Sequence, residues 1–115
     1  MSKGTHVILD CYGVPSDVCL DDKRLLQIVI RAARSGGATI INTSRYRFGY
    51  DSPPGCTVLV MLDESHVSVH TYAEEGKMAI DVFTCGNNTD GRVIVEQLKK
   101  ELQLDSCEEK QFDRF

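Results

Sequence analysis

Leu62-Asp63-Glu64-Ser65-His66-Val67-Ser68-Val69-His70-Thr71-Tyr72-Ala73-Glu74-Glu75-Gly76 runs directly into Lys77-Met78-Ala79-Ile80-Asp81-Val82-Phe83-Thr84-Cys85-Gly86. In the first run Val67, Val69 and Thr71 alternate with His66, Ser68, His70 and Tyr72; in the second, Met78, Ile80 and Val82 alternate with Ala79, Asp81, Phe83 and Cys85. A period of two marks a strand with one buried face, and Glu74-Glu75-Gly76 supplies a turn between the runs. The stretch is therefore a β-hairpin. Centred near Glu75, it sets Ser65 opposite Cys85, a hydroxyl beside a thiol. His70 lies five residues along the same strand from Ser65, roughly 16 Å away at about 3.3 Å per residue and on the opposite face. Within one chain those two side chains do not meet.

Upstream, Thr5 to Tyr12 alternates with Val7, Leu9 and Cys11 on one side, a strand that Gly13-Val14-Pro15-Ser16 ends. From Asp21 the period changes. Leu25, Ile28, Val29, Ala32 and Ala33 fall on one helical face and Arg24, Gln27, Arg31 and Arg34 on the other. Asp21-Asp22 suits the start of that helix and Gly36-Gly37 its end. Ala38 to Phe48, rich in Thr, Ile and aromatic residues, is a second strand, and the segment from Gly49 to Gly55 is a loop. Thr57 to Leu62, almost wholly apolar, is an interior strand that enters the hairpin through a tight connection at Asp63-Glu64. Beyond Gly86, Asn87-Asn88-Thr89-Asp90 offers N-caps for a helix from Gly91 to Leu102 with Ile94, Val95, Leu98 and Leu102 inward. The charged tail from Cys107 to Phe115 is either frayed or a last edge strand.

The order predicts a single domain over residues 1–115 of the α/β (α+β) class: a two-layer sandwich with a mostly antiparallel sheet covered by two helices on one face. The sheet's other face carries His70, Tyr72 and Cys85, and is expected to line a site. The chain has 115 residues, 42% hydrophobic and 26% charged, with a net charge of −4, so it offers no basic footprint for nucleic acid. No apolar run spans a bilayer and no signal-peptide pattern opens the chain, which points to the cytoplasm without membrane contact. Five cysteines with no C-x-x-C pair predict reduced thiols there, with neither a disulfide framework nor a bound metal.

Glu64-Ser65-His66, His70-Thr71, Glu74, Gly76 and Phe83-Thr84-Cys85-Gly86 resemble, in order and spacing, the short prokaryotic-type S-adenosylmethionine decarboxylases. Ser35-Gly36-Gly37-Ala38-Thr39-Ile40 and Arg47-Phe48 extend the similarity upstream. The resemblance implies a chain that makes its own pyruvoyl cofactor. The Ser65 hydroxyl attacks the Glu64 carbonyl to give an ester, removal of the Ser65 α-proton expels the upstream carboxylate, and hydrolysis of the dehydroalanine leaves a pyruvoyl group. The products are a β fragment, 1–64, and an α fragment starting at residue 65. The new ketone condenses with a substrate amine, and the Schiff base accepts the electrons released with carbon dioxide. The substrate implied is S-adenosylmethionine, whose decarboxylated form is the aminopropyl donor for spermidine.

Each residue so implicated also has a plainer reading. Ser65 reads alone as a turn serine, His70 as a hydrogen-bonded strand histidine, Cys85 and Phe48 as core, Glu74 as an exposed turn carboxylate. The resemblance makes His70 the acid–base group of self-processing, alongside Thr57, and Cys85 the acid that protonates the substrate carbon. It stacks Phe48 on adenine, sets Glu74 on the ribose hydroxyls and adds Tyr72. Asp10, at the end of the first strand, is a further candidate for a polar substrate contact. It also implies a homodimer with two shared sites, Ser65 and Cys85 from one subunit and Phe48, Thr57, His70 and Glu74 from the other, which removes the distance problem at His70.

Three departures from the family pattern bear on this. Thr57, with Cys56 beside it, stands where a processing serine is usual. Tyr72-Ala73-Glu74-Glu75 replaces Trp-Pro-Glu-Tyr, and the loop from Gly49 to Gly55 is a few residues longer. They leave two other readings open: a pyruvoyl-dependent ornithine or arginine decarboxylase on the same scaffold, and an uncleaved, non-catalytic regulator.

Overall fold

A computed structural model describes residues 3–115. The chain runs β1 (Gly4–Cys11), α1 (Ser16–Cys19), α2 (Asp22–Ser35), β2 (Ile40–Phe48), β3 (Gly55–Leu62), β4 (Ser65–Tyr72), β5 (Lys77–Cys85), α3 (Gly91–Leu102) and β6 (Cys107–Arg114). The strands form one sheet in the order β2-β3-β4-β5-β1-β6, every neighbouring pair antiparallel. The α+β two-layer sandwich is as expected, with one addition. The single-turn helix α1 follows Pro15, in a segment whose sequence reads only as a strand exit.

Strand alternation and the helical stripes meet in one core. Val7 and Leu9 of β1, Val58 and Val60 of β3, Val67 and Val69 of β4, and Ile80 and Val82 of β5 turn inward. They pack against Leu25, Ile28 and Val29 of α2 and Ile94, Val95 and Leu98 of α3. These are the stripes expected from the sequence, and burial of this kind is worth about 1.5–3 kcal/mol for each large aliphatic side chain. Both helices begin on aspartate caps: Arg24 N–H donates to Asp21 at 3.0 Å, and Arg92 N–H to Asp90 at 2.9 Å.

The tail is a full edge strand. β6 pairs with β1 along its length, and Glu109 on it accepts from Arg92 at 2.8 Å and Lys99 at 2.6 Å, tying the strand to α3. At the opposite edge, Arg45 on β2 donates to Asp22 of α2 at 2.6 Å.

The hairpin register differs by one residue from a centre at Glu75. Tyr72 pairs with Lys77, Val69 with Ile80 and His66 with Phe83. The loop is Ala73-Glu74-Glu75-Gly76, closed by Gly76 at φ 63°. Core packing imposes this register, because the alternative sets Asp81 opposite Val69 and Phe83 opposite Val67, turning a carboxylate toward the helices.

Hydrogen bonds from Arg92, and then Lys99, hold the Glu109 carboxyl at about 2, below its ordinary 4.5. A depressed carboxylate pKa stabilises the fold above the ordinary value and loses that contribution as pH falls through the folded value. Glu109→Gln is therefore expected to lower the urea midpoint at neutral pH. Its deficit relative to the parent should shrink as pH falls from 4.5 toward 2, which a series of urea titrations on a Ser65→Ala background would measure.

Candidate active site

Asp63 and Glu64 are the whole connection between β3 and β4, because Leu62 already pairs with Ser65. Two-residue hairpin loops favour glycine or asparagine at positive φ. Here Glu64 takes that conformation at φ 64°, which costs about 1–2 kcal/mol for a residue with a Cβ. The Asp63 N–H donates to the Thr39 carbonyl at 3.1 Å, which anchors the loop. The strained residue thus immediately precedes the Glu64–Ser65 peptide bond.

Ser65 is buried, 7% exposed, and its Oγ accepts the backbone N–H of Cys85 at 3.0 Å. The one-residue register change bears on this contact. Ser65 follows the inward face of β4, whereas Cys85 continues the outward face of β5. The contact expected between hydroxyl and thiol is therefore one between hydroxyl and amide, and the Cys85 thiol stays partly exposed. A small cavity of about 70 Å³ at these strand ends is lined by Thr39, Asp63, Glu64, Cys85, Gly86 and Asn88, among others.

His70 lies on the outward face, as its alternation requires. It pairs with Thr57 across β3–β4, and Thr57 Oγ1 lies 2.9 Å from His70 Nδ1. This bond fixes the ring's orientation and leaves Nε2 for other work. Burial pushes the Cys56 thiol up, and its Sγ lies 3.3 Å from the Cys19 carbonyl, so Cys56 is a neutral core group. Between Ser65 and His70 the outward face forms an open groove of about 520 Å³ lined by Leu59, Met61, His66 and Ser68 as well as those two residues.

Phe48, Tyr72 and Glu74 come together at the far end of β4. The Phe48 and Tyr72 rings have centroids 6.5 Å apart, and with Glu74, Glu75 and Ser52-Pro53-Pro54 they line a cavity of about 170 Å³. Gly55, paired with Phe48, makes room for the ring: an added Cβ would lie 2.6 Å from Phe48 Cζ and overlap the Thr71 carbonyl oxygen. The loop between β2 and β3 supplies the prolines of this cavity.

Asp10 is exposed on the outward face of β1, between Ala79 and Glu108, and borders neither cavity. A polar array absent from the sequence reading lies near the middle of that face. Ser68 Oγ donates to Asp81 at 3.4 Å, and His6 Nε2 stands 3.8 Å from the same carboxylate. The Ser68–Asp81 contact follows from the true hairpin register; His6 arrives from β1, a strand remote in sequence.

A proenzyme of Brevibacillus brevis named S-adenosylmethionine decarboxylase is 42% identical over 83% of this chain and 69% of its own. One of the same name from Prochlorococcus marinus is 39% identical over 96% of this chain and 86% of its own. The crystal structure of adenosylmethionine decarboxylase from Aquifex aeolicus superposes with a TM-score of 0.85 at 27% identity, covering 96% of this chain and 89% of that one. The S-adenosylmethionine decarboxylase family model matches residues 5–115, reaching through β6, and the chain belongs to that family.

Proposed function

We propose that this chain decarboxylates S-adenosylmethionine after cutting itself between Glu64 and Ser65, and that two copies share two composite sites. One observation carries the reading. The Thr57–His70 pair is assembled, yet it stands on the sheet face opposite Ser65 and five residues away. A processing group so placed serves the serine of another copy. The outward face has the character such an arrangement needs, since Leu59, Met61 and Phe112 are exposed there. The relatives' designation as decarboxylase proenzymes supports both the reaction and the maturation.

The residues present suit a pyruvoyl group derived from Ser65. The Cys85 N–H already holds an oxygen at that position, and Glu64 beside it is strained toward cleavage. When formed, the group supplies a carbonyl that can hold a substrate amine and take up the electrons left by carbon dioxide. Cys85 Sγ, partly exposed beside it, holds a proton for the substrate carbon. His70, oriented by Thr57, moves protons during self-processing. Phe48 and Tyr72 offer aromatic faces to adenine, and Glu74 offers two acceptor oxygens to the ribose hydroxyls. Tyr72 keeps an aromatic wall where the family pattern has tryptophan, so adenine recognition survives that departure.

Carbon dioxide release is expected from S-adenosylmethionine and not from ornithine or arginine; release from a basic amino acid alone would replace the substrate assignment. Cys85→Ala should lower kcat by about 10²–10⁴-fold with the chain still cleaved, the range for loss of a positioned acid.

Shared sites make a second outcome quantitative. Cys85→Ala and Glu74→Gln damage opposite halves of a composite site, so random reassociation of the two variants restores wild-type composition to about one quarter of sites. Activity of the mixture should approach that fraction, whereas sites built within single chains would show no recovery.

A further inference from the structure

Cys11 and Cys107 have no part in the chemistry above, yet their sulfurs are 3.2 Å apart. They face each other across β1 and β6. The Tyr12 N–H donates to the Ser106 carbonyl at 2.9 Å, so the adjoining pair carries the ladder bond and Cys11–Cys107 is a non-hydrogen-bonded pair. Such pairs have Cα atoms about 4.5 Å apart, within the range of about 4.4–6.8 Å that a disulfide spans. Both side chains face the core side, and Cys107 is the partly covered residue at the start of a strand that is otherwise exposed.

We propose that Cys11 and Cys107 are a thiol–disulfide site, oxidised by a low-molecular-weight disulfide of the glutathione class to a bond that ties the edge strand β6 to β1. Cys107, the more accessible, attacks one sulfur of the small disulfide and releases one small thiol. Cys11 then attacks the Cys107 sulfur, gives its proton to solvent and expels the second small thiol. Two protein thiols are oxidised and one disulfide is reduced to two thiols. Burial, with Cys107 adjacent, pushes the Cys11 thiol up, which makes it the slower, resolving partner. The other cysteines differ: Cys19 and Cys56 are fully buried in the core, and Cys85 stands at the strand end beside Ser65.

The bond has a consequence that rests on the proposed cleavage. Cys11 precedes Glu64–Ser65 and Cys107 follows it, so the oxidised form joins the two fragments covalently, and separation of the cleaved protein requires a reductant.

The test equilibrates the purified protein and its Ser65→Ala precursor with mixtures of oxidised and reduced glutathione, blocks remaining thiols with N-ethylmaleimide in denaturant so that buried cysteines also react, and weighs the products. The expected result is that oxidation protects two of the five thiols in both proteins, with a Cys11–Cys107 peptide in the digest and no protection in Cys107→Ser. Fragments of the processed protein should then run together without reductant and apart with it. Modification of all five thiols, or glutathione adducts without a crosslink, would overturn the proposal. A crosslinked precursor beside a wild-type chain that stays whole under reductant would count against cleavage alone, leaving the thiol site standing.

Discussion

The two-residue connection between β3 and β4 is the constraint on which the rest depends. Its length leaves no freedom in register: Leu62 must pair with Ser65, and Thr57 therefore with His70. The same shortness drives Glu64 to positive φ without the glycine that usually relieves such a turn. One local geometric fact thus assembles the histidine–hydroxyl pair, strains the residue before Ser65 and delivers the serine to the amide of Cys85 at the end of β5.

The sheet divides its labour by face. Inward side chains are mostly aliphatic and are sealed by α2 and α3, which gives a rigid platform and fixes the β4–β5 register. Outward side chains include Thr57, His70, Ser68 and Asp81, spaced among exposed apolar groups. A one-residue slip would exchange the two sets, so the stability of the core and the geometry of the outward face are enforced by the same alternation. The cavity lined by Phe48, Tyr72 and Glu74 sits where this rigid sheet meets the loop at Ser52-Pro53-Pro54, with Phe48 admitted by the absence of a side chain at Gly55.

Most of this architecture was legible in the sequence because it rests on periodicity. The stripes of α2 and α3, the alternation of β4 and β5 and the interior place of β3 all follow from it. What was not legible depends on packing between distant segments. The hairpin register could not be read from Glu74-Glu75-Gly76, since either of two centres fits a glycine-containing turn and only burial of Val69 against Ile80 chooses between them. The turn α1 is too short to show a period. Clustering of Phe48, Tyr72 and Glu74 was anticipated through family resemblance and not through spacing, whereas the contacts among His6, Ser68 and Asp81 and between Cys11 and Cys107 are cross-strand facts with no sequence signature. Asp10, singled out for its place at a strand end, borders neither cavity.

The central claim is that the peptide bond after the strained Glu64 does not survive in the mature protein. Intact-protein mass spectrometry of the purified, reduced chain tests it most directly. The account predicts two species, residues 1–64 and a fragment from residue 65 whose N-terminus is a ketone reducible by borohydride, and a single unbroken species for Ser65→Ala. A wild-type chain that remains whole under reductant and takes up no hydride would contradict it.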